Sequence, residues 1–289
     1  MSNAKGIRSQ IKSVENTQKI TKAMQMVAAS KVKKAQDQML AARPYTVNLL
    51  RIITHLVKAT SSNDHAYLSN KAEIKKVGYI VISTDRGLCG GLNINLFKEL
   101  MKSIKKDKEQ GREVVISVYG KKGLGFASRL GIEVISYVDN YPDNPQITDL
   151  LGGYLPMLKL YEAGEVQLVH IVGNNFINAM SQKPMVGQLL PATVVYTDET
   201  VASYSWDYLY ESNPKKYLDK LLQRYLETVV MQFVLDNIAS EMSARMIAMQ
   251  AASDNAGALI DELKLKYNKA RQAAITQELT EIVAGADAV

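Results

Sequence analysis

Two stretches almost free of helix breakers bracket this 289-residue chain. Residues 1–58 hold no glycine after Gly6 and a single proline, Pro44. Apolar or small residues recur there at helical spacing: Ile7, Ile11, Val14, Ile20, Met24, Val27, Val32, Ala35 and Met39. Gln18, Thr21 and Gln25 interrupt that stripe, so it suits a narrow seam against one partner helix better than a full core. Pro44 lacks an amide proton and its ring crowds the preceding turn, which predicts a kink or break near Ala42 and Arg43. Residues 214–289 mirror the pattern. Asn213-Pro214 is a helix start, and only Gly257 interrupts the run before Gly285. The stripe there is strong from Leu218 to Val234 and thins to Ala and Met toward Ala256. Small residues let two helix backbones approach closely, while Met fills irregular gaps. Fifty-five residues of helix reach about 80 Å and seventy about 105 Å. Helices that long, at opposite ends of one chain, predict an intramolecular antiparallel coiled coil.

Residues 75–210 read differently. Apolar β-rich runs at 77–83, 114–119, 132–138, 166–172 and 185–196 alternate with helical stretches at 92–106, 122–130 and 147–163. That alternation predicts an α/β domain, a Rossmann-like, mostly parallel open sheet covered on both faces. The turn-rich string DNYPDNP (139–145) is a loop.

Composition narrows the chemistry. An apolar content of 47% supports a real core, yet no apolar run approaches the roughly 18–20 residues that span a bilayer. A lone cysteine, Cys89, excludes an internal disulfide framework and a cysteine-rich metal site. Three histidines (His55, His65 and His170) would all have to converge to hold a metal. The loop TDRGLCGG (84–91) follows a strand and precedes a helix, where phosphate loops sit, but matches no phosphate-loop pattern; tight turns that need glycine are the commoner cause of such loops. GKKGLG (120–125) is off-pattern in the same way. Cys89 beside Arg86 has no nearby histidine to act as base, and His170 lies in an apolar strand. No catalytic constellation, cofactor site or metal site emerges.

Charge is local. Residues 1–43 carry nine Lys and Arg against Glu15 and Asp37, a net of 9 − 2 = +7, which exceeds the +6 of the whole chain. A basic rod implies an acidic partner: nucleic acid, anionic lipid or acidic protein loops. Nucleic acid is disfavoured because basic patches interleaved with aromatics are missing. The first 31 residues are basic and amphipathic like a presequence, but the helical pattern continues to Pro44 without a break; Met1 is read as the mature start.

Five strings stand in order along the chain: IRSQIKSVENTQKITKAMQMVAASK (7–31), STDRGLCGG (83–91), SWDYLYE (205–211), SEMSARMIAM (240–249) and YNKARQAAITQELTEIV (267–283). Together they resemble the γ-subunit family of bacterial F-type ATP synthases, over essentially the whole chain. The resemblance implies a non-catalytic rotor shaft for ATP synthesis driven by hydrogen ion transport, coupling c-ring rotation to the catalytic β subunits. It implies α and β subunits, an ε subunit and the c-ring as partners. Membrane contact would be indirect, at the cytoplasmic face of the inner membrane. By motif, Met24 resembles the shaft residue near acidic β loops, with Arg245 and Gln272 supporting it from the paired helix. Arg271, Gln272, Thr276 and Glu278 resemble polar contacts to β loops, and Arg86 contributes to the same catch. Tyr208 and Glu211 resemble foot contacts to the c-ring, and residues 282–289 resemble a tip fitting an apolar sleeve. Each position has a plainer alternative: Met24 fills the seam, and Thr276 and Glu278 are solvated.

Overall fold

The computed structural model describes residues 2–60, 65–69, 73–192 and 214–286. Among them the chain begins with α1 (Ser2–Thr60) and ends with α5 (Pro214–Ala286). Between these lie β1 (Lys76–Ile82), α2 (Leu92–Glu109), β2 (Glu113–Tyr119), α3 (Lys121–Leu130), β3 (Glu133–Val138), α4 (Ile147–Glu162), β4 (Leu168–Asn178) and β5 (Ser181–Leu190). Two compact units result, one made of residues 1–30 with 245–289 and the other of residues 31–244.

In the larger unit the sheet order is β3-β2-β1-β4-β5, parallel throughout except for the antiparallel edge strand β5. Alternation along β1 explains its two-sided burial. Val77, Tyr79 and Val81 join Leu96, Leu100 and Ile104 of α2 on one face, while Ile80 and Ile82 join Tyr154, Met157 and Tyr161 of α4 on the other. A strand buried on both faces is apolar without interruption, as its sequence is. The second face also takes Ala35, Met39, Leu49, Ile53 and Leu56 of α1 and Leu218, Leu222, Leu226, Val230 and Val234 of α5. Burying side chains of this size contributes about 1.5–3 kcal/mol each.

Local signals place the elements. Asp149 in the first turn of α4 accepts from the Gln146 backbone N–H at 2.8 Å, satisfying a donor that the helix end leaves free. Gly120, with φ of 91°, turns β2 into α3, and a Cβ there would sit 2.6 Å from the Ser83 carbonyl oxygen. Asn178 caps the β4–β5 turn, its Oδ1 accepting from the N–H groups of Met180 and Ser181.

Three expectations are revised. α1 runs through Pro44 as one helix of 59 residues; buried Ala35 and Met39 before the proline and Leu49 and Ile53 after it are held on one face, and that packing outweighs one missing hydrogen bond. The expected strand at 166–172 extends to Asn178, and its return strand begins at Ser181, because the two form a hairpin. The α1 stripe also changes membership. Ile20 and Val27 are 60% and 57% exposed, whereas Thr21 and Ala28 are buried. Among the described residues, no helix is long and apolar enough to cross a membrane.

Candidate functional site

A doubly wound sheet offers its natural ligand crevice where strand order reverses, at the carboxyl ends of β1 and β4. Here the loop that follows β1 meets protein. Ser83 Oγ donates to the Tyr119 carbonyl and accepts from the Gly123 N–H, both at 2.8 Å. Asp85 takes the Lys121 N–H at 3.0 Å and the Asn140 N–H at 2.9 Å, so its carboxylate ties together the loops after β2 and β3. Asn93 Nδ2 bridges Thr84 Oγ1 and the Sγ of buried Cys89, which ties the thiol to the start of α2.

The remaining space is taken by α5. Asn237 Nδ2 donates to the Ser83 carbonyl at 3.3 Å, and Asn237 Oδ1 accepts from Asn174 Nδ2 at 2.9 Å. Phe233 lies where a Cβ on Gly173 of β4 would come within 2.9 Å of its ring. Tyr141 reaches the same carbonyl of Ser83 at 3.5 Å. Burial, followed by the carboxylates of Glu241 and Asp85, pushes its phenol far up, so it stays a donor. A phosphate would have to displace a hydrogen-bonded helix from this crevice.

Among the described residues, the smaller unit is helical throughout. Along α1, positions 7, 11, 14, 18, 21, 25 and 28 are buried or half-buried; along α5, Met249, Ser253, Ala256, Ile260 and Leu263 are buried. Both series step by four and three, the 3.5-residue repeat of a coiled-coil seam. Gln18 Nε2 donates to the Ser253 carbonyl at 3.3 Å and lies 3.1 Å from where a Cβ on Gly257 would be. The seam is polar at its centre: Gln18, Thr21 and Gln25 occupy it, and Gln25 Oε1 is buried with no hydrogen-bond partner.

The ATP synthase family model matches residues 3–289. A relative from Dichelobacter nodosus (strain VCS1703A), the "ATP synthase gamma chain", is 59% identical over 289 residues, covering all of both chains. The chain belongs to the ATP synthase gamma-chain family. The gamma chain of Actinobacillus pleuropneumoniae serotype 5b (strain L20) is 53% identical over the same full length. Among solved structures, a chain of the Euglena gracilis mitochondrial ATP synthase (OSCP/F1/c-ring) matches with a TM-score of 0.68 at 19% identity, covering 99% of this chain and 94% of that one. A chain from the Tetrahymena thermophila mitochondrial ATP synthase central stalk and c-ring gives 0.58 at 22% identity, covering 81% and 99%. At those identities the two structures speak for the fold.

Within this gamma chain, Met24 is half-buried at the flank of the seam and Arg245 is 9% exposed. The seam register separates Gln272 from them. With Gln18 facing Ser253 and Gly257, Met24 falls opposite residue 249 or thereabouts, and Gln272 lies about 35 Å further along α5. By that register Arg245 lies within a turn or so of the level of Met24, and Gln272 does not. By the same register Ser2 lies opposite about residue 271, so α5 outruns α1 by roughly 15 residues, or about 22 Å. Arg271, Gln272, Thr276 and Glu278 are exposed on or beside this lone end, as are Ile275, Leu279, Ile282 and Val283. Arg86 is exposed in the larger unit. Tyr208 and Glu211 lie outside the described residues.

Asn237, Asn174 and Ser83 were not among the sequence candidates. Buried polar residues in a helix or strand carry the same letters as surface ones, and no spacing marks them. The polar seam did carry a signal: Gln18, Thr21 and Gln25 continue the four-three repeat of Ile7, Ile11 and Val14.

Proposed function

We propose that this chain is the central rotor shaft of a proton-translocating F-type ATP synthase, passing c-ring rotation to the catalytic β subunits so that ATP is made. It performs no bond chemistry itself; the catalytic residues belong to its partners. Residues 1–58 and 214–289 serve as the shaft strands and residues 75–210 as the foot. The α and β subunits surround the shaft, and the ε subunit and c-ring meet the foot. The chain works as a peripheral protein at the cytoplasmic face of the bacterial inner membrane, reaching the bilayer through the c-ring.

The observation that carries this reading is the filled crevice. Helix α5 occupies the one place where this sheet type offers a ligand site, while the same helix continues into a slender two-helix unit with little core of its own. Such a unit presents side chains to surrounding protein on several sides. The basic balance of residues 1–43 suits acidic loops on that protein, where charge sets register and encounter rate. Met24, Arg86, Arg245, Arg271, Gln272, Thr276 and Glu278 are proposed as coupling contacts, and Tyr208 and Glu211 as c-ring contacts. The lone end of α5, with Ile282 and Val283 exposed, suits an apolar sleeve.

Affinity-tagged chain expressed in its native background should co-purify with α, β and ε subunits in a complex that hydrolyses ATP. A stable monomer that binds nucleotide stoichiometrically and recovers none of these subunits would refute the assignment.

A further inference from the structure

Helix α3 begins without a cap of its own. Gly120 at its N-cap has no side chain, and its first turn holds no acidic residue. The β1 loop supplies what is missing. The Lys121 N–H donates to Asp85 Oδ1 at 3.0 Å, the Lys122 N–H to the Thr84 carbonyl at 3.0 Å, and the Gly123 N–H to Ser83 Oγ at 2.8 Å. Three consecutive residues of one loop thus satisfy three consecutive amides that a helix start leaves free. The Asp85 carboxylate also sits where the helix dipole favours an anion. Its second oxygen, Oδ2, accepts from the Asn140 N–H at 2.9 Å, where the backbone is held at a φ of 52°. Only a forked acceptor holds both amides at once; a side-chain amide would turn an N–H toward one of them.

The residues that follow Asp85 are presented outward under strain. Leu88 has a φ of 63° and is 62% exposed, so burial does nothing to offset its left-handed backbone. Strain of this kind persists only where the surrounding structure over-determines it. Thr84 Oγ1 donates to the Arg86 carbonyl at 2.7 Å, and the Asn237 amide of α5 donates to the Ser83 carbonyl at 3.3 Å. We propose that Asp85 is a positioning residue for coupling. It locks the turn from Arg86 to Leu88 onto α3, onto the β3–α4 loop and, through Ser83, onto α5, so that the turn follows the helix without lag. The inference rests on the shaft reading above, in which Arg86 is a coupling contact, and adds to it the residue that aims that contact. A turn free to swing would let ATP be hydrolysed with less of the motion passed on.

The test uses the complete synthase reconstituted in sealed vesicles, with protons pumped per ATP hydrolysed as the readout. Asp85→Asn removes one of the two amide contacts and should lower that ratio about two- to tenfold, the range over which single side chains change a coupling. Thr84→Val, a milder lesion of the same turn, should lower it less. Ser136→Ala is the control. It deletes a hydroxyl that bonds Ser117 Oγ and the Gly153 carbonyl at 2.8 Å each, between β2, β3 and α4, and should cost stability while keeping the wild-type ratio. Arg86→Gln should lower the ratio by itself, and Asp85→Asn should add nothing in that background. A wild-type ratio in Asp85→Asn, or in Thr84→Val where Asp85→Asn does not assemble, overturns the inference. So does an equal fall in Ser136→Ala, a wild-type ratio in Arg86→Gln, or independent losses in the double variant. If the wild-type chain restores no pumping to a complex lacking its γ subunit, the shaft reading itself fails.

Discussion

Gln18 of α1 donates its side-chain amide to the backbone carbonyl of Ser253 in α5, across 3.3 Å and 235 residues of sequence. The bond pins one helix against the other at a point where neither offers a large apolar side chain. A polar side chain in a coiled-coil seam fixes register at some cost in stability, and the neighbouring turn of α1 makes that cost measurable.

Gln25 Oε1 is buried without a partner in the same seam. Gln25→Leu removes an unmet acceptor and adds apolar contact, so it should stabilise the chain by about 1 kcal/mol. Urea unfolding followed by helical circular dichroism would read the shift in midpoint. A destabilised variant would mean that the amide makes a contact through water worth more than the burial.

Gly120 should tolerate no side chain. Its φ of 91° suits glycine, and a Cβ would meet the backbone oxygen of Ser83 at 2.6 Å. Gly120→Ala is expected to cost roughly 3 kcal/mol, combining backbone strain with displacement of the β1 loop. A melting temperature within two degrees or so of wild type would count against the crowding.

Asn237→Leu leaves the Ser83 carbonyl and the Asn174 amide facing an apolar side chain in a fully buried seam. The expected loss is about 2–4 kcal/mol. The Asn174→Ala/Asn237→Ala double change should cost less than the sum of the two single changes, since both remove the same bond. Additive losses in that cycle would show that the two amides act independently.

Burial lowers the pKa of the His170 imidazole, with Asp107 pulling weakly the other way. The folded chain therefore stays neutral there while the unfolded chain takes up a proton near pH 6.5. Stability from this group is intact above about pH 6.5 and declines as pH falls from there toward the lowered folded pKa. His170→Gln, which keeps a side-chain donor, should flatten the fall in unfolding free energy between pH 7.5 and 5. An unchanged slope would place the acid sensitivity elsewhere.

Met24→Lys adds a cation to a helix already rich in them and turns a half-buried flank of the seam polar. In the assembled complex it should lower ATP-driven proton pumping several-fold while leaving ATP hydrolysis measurable. Pumping and hydrolysis that stay in their wild-type ratio would remove Met24 from the coupling surface.

Most of the architecture was legible in the residues because its signals are local. The glycines of GKKGLG and the apolar run of β1 each mark an element where it stands, and the two long ends announce themselves by lacking breakers. What stayed hidden depends on partners distant in sequence. Pro44 argues for a break on its own evidence, and only the burial of Leu49 and Ile53 beyond it decides otherwise. Ile20 and Val27 look like seam residues to anyone counting apolar letters, yet the 3.5-residue repeat runs through Gln18, Thr21 and Gln25. Whether a glutamine faces a helix or water is settled by the other helix. The filled crevice was least visible, since Asn174 and Asn237 meet only once strand order and α5 are both in place.

That late meeting also has a bearing on synthesis. The side chains of α5 that complete the inner face of the sheet, Leu218 through Ala239, leave the ribosome after every strand has already emerged. Until they arrive, the face that α4 and α1 cover only in part lies open, with the slot for Phe233 empty beside Gly173. The nascent chain thus spends its most aggregation-prone interval waiting for its own tail, and a stop codon ahead of Leu218 would strand it there as a substrate for chaperones and proteases.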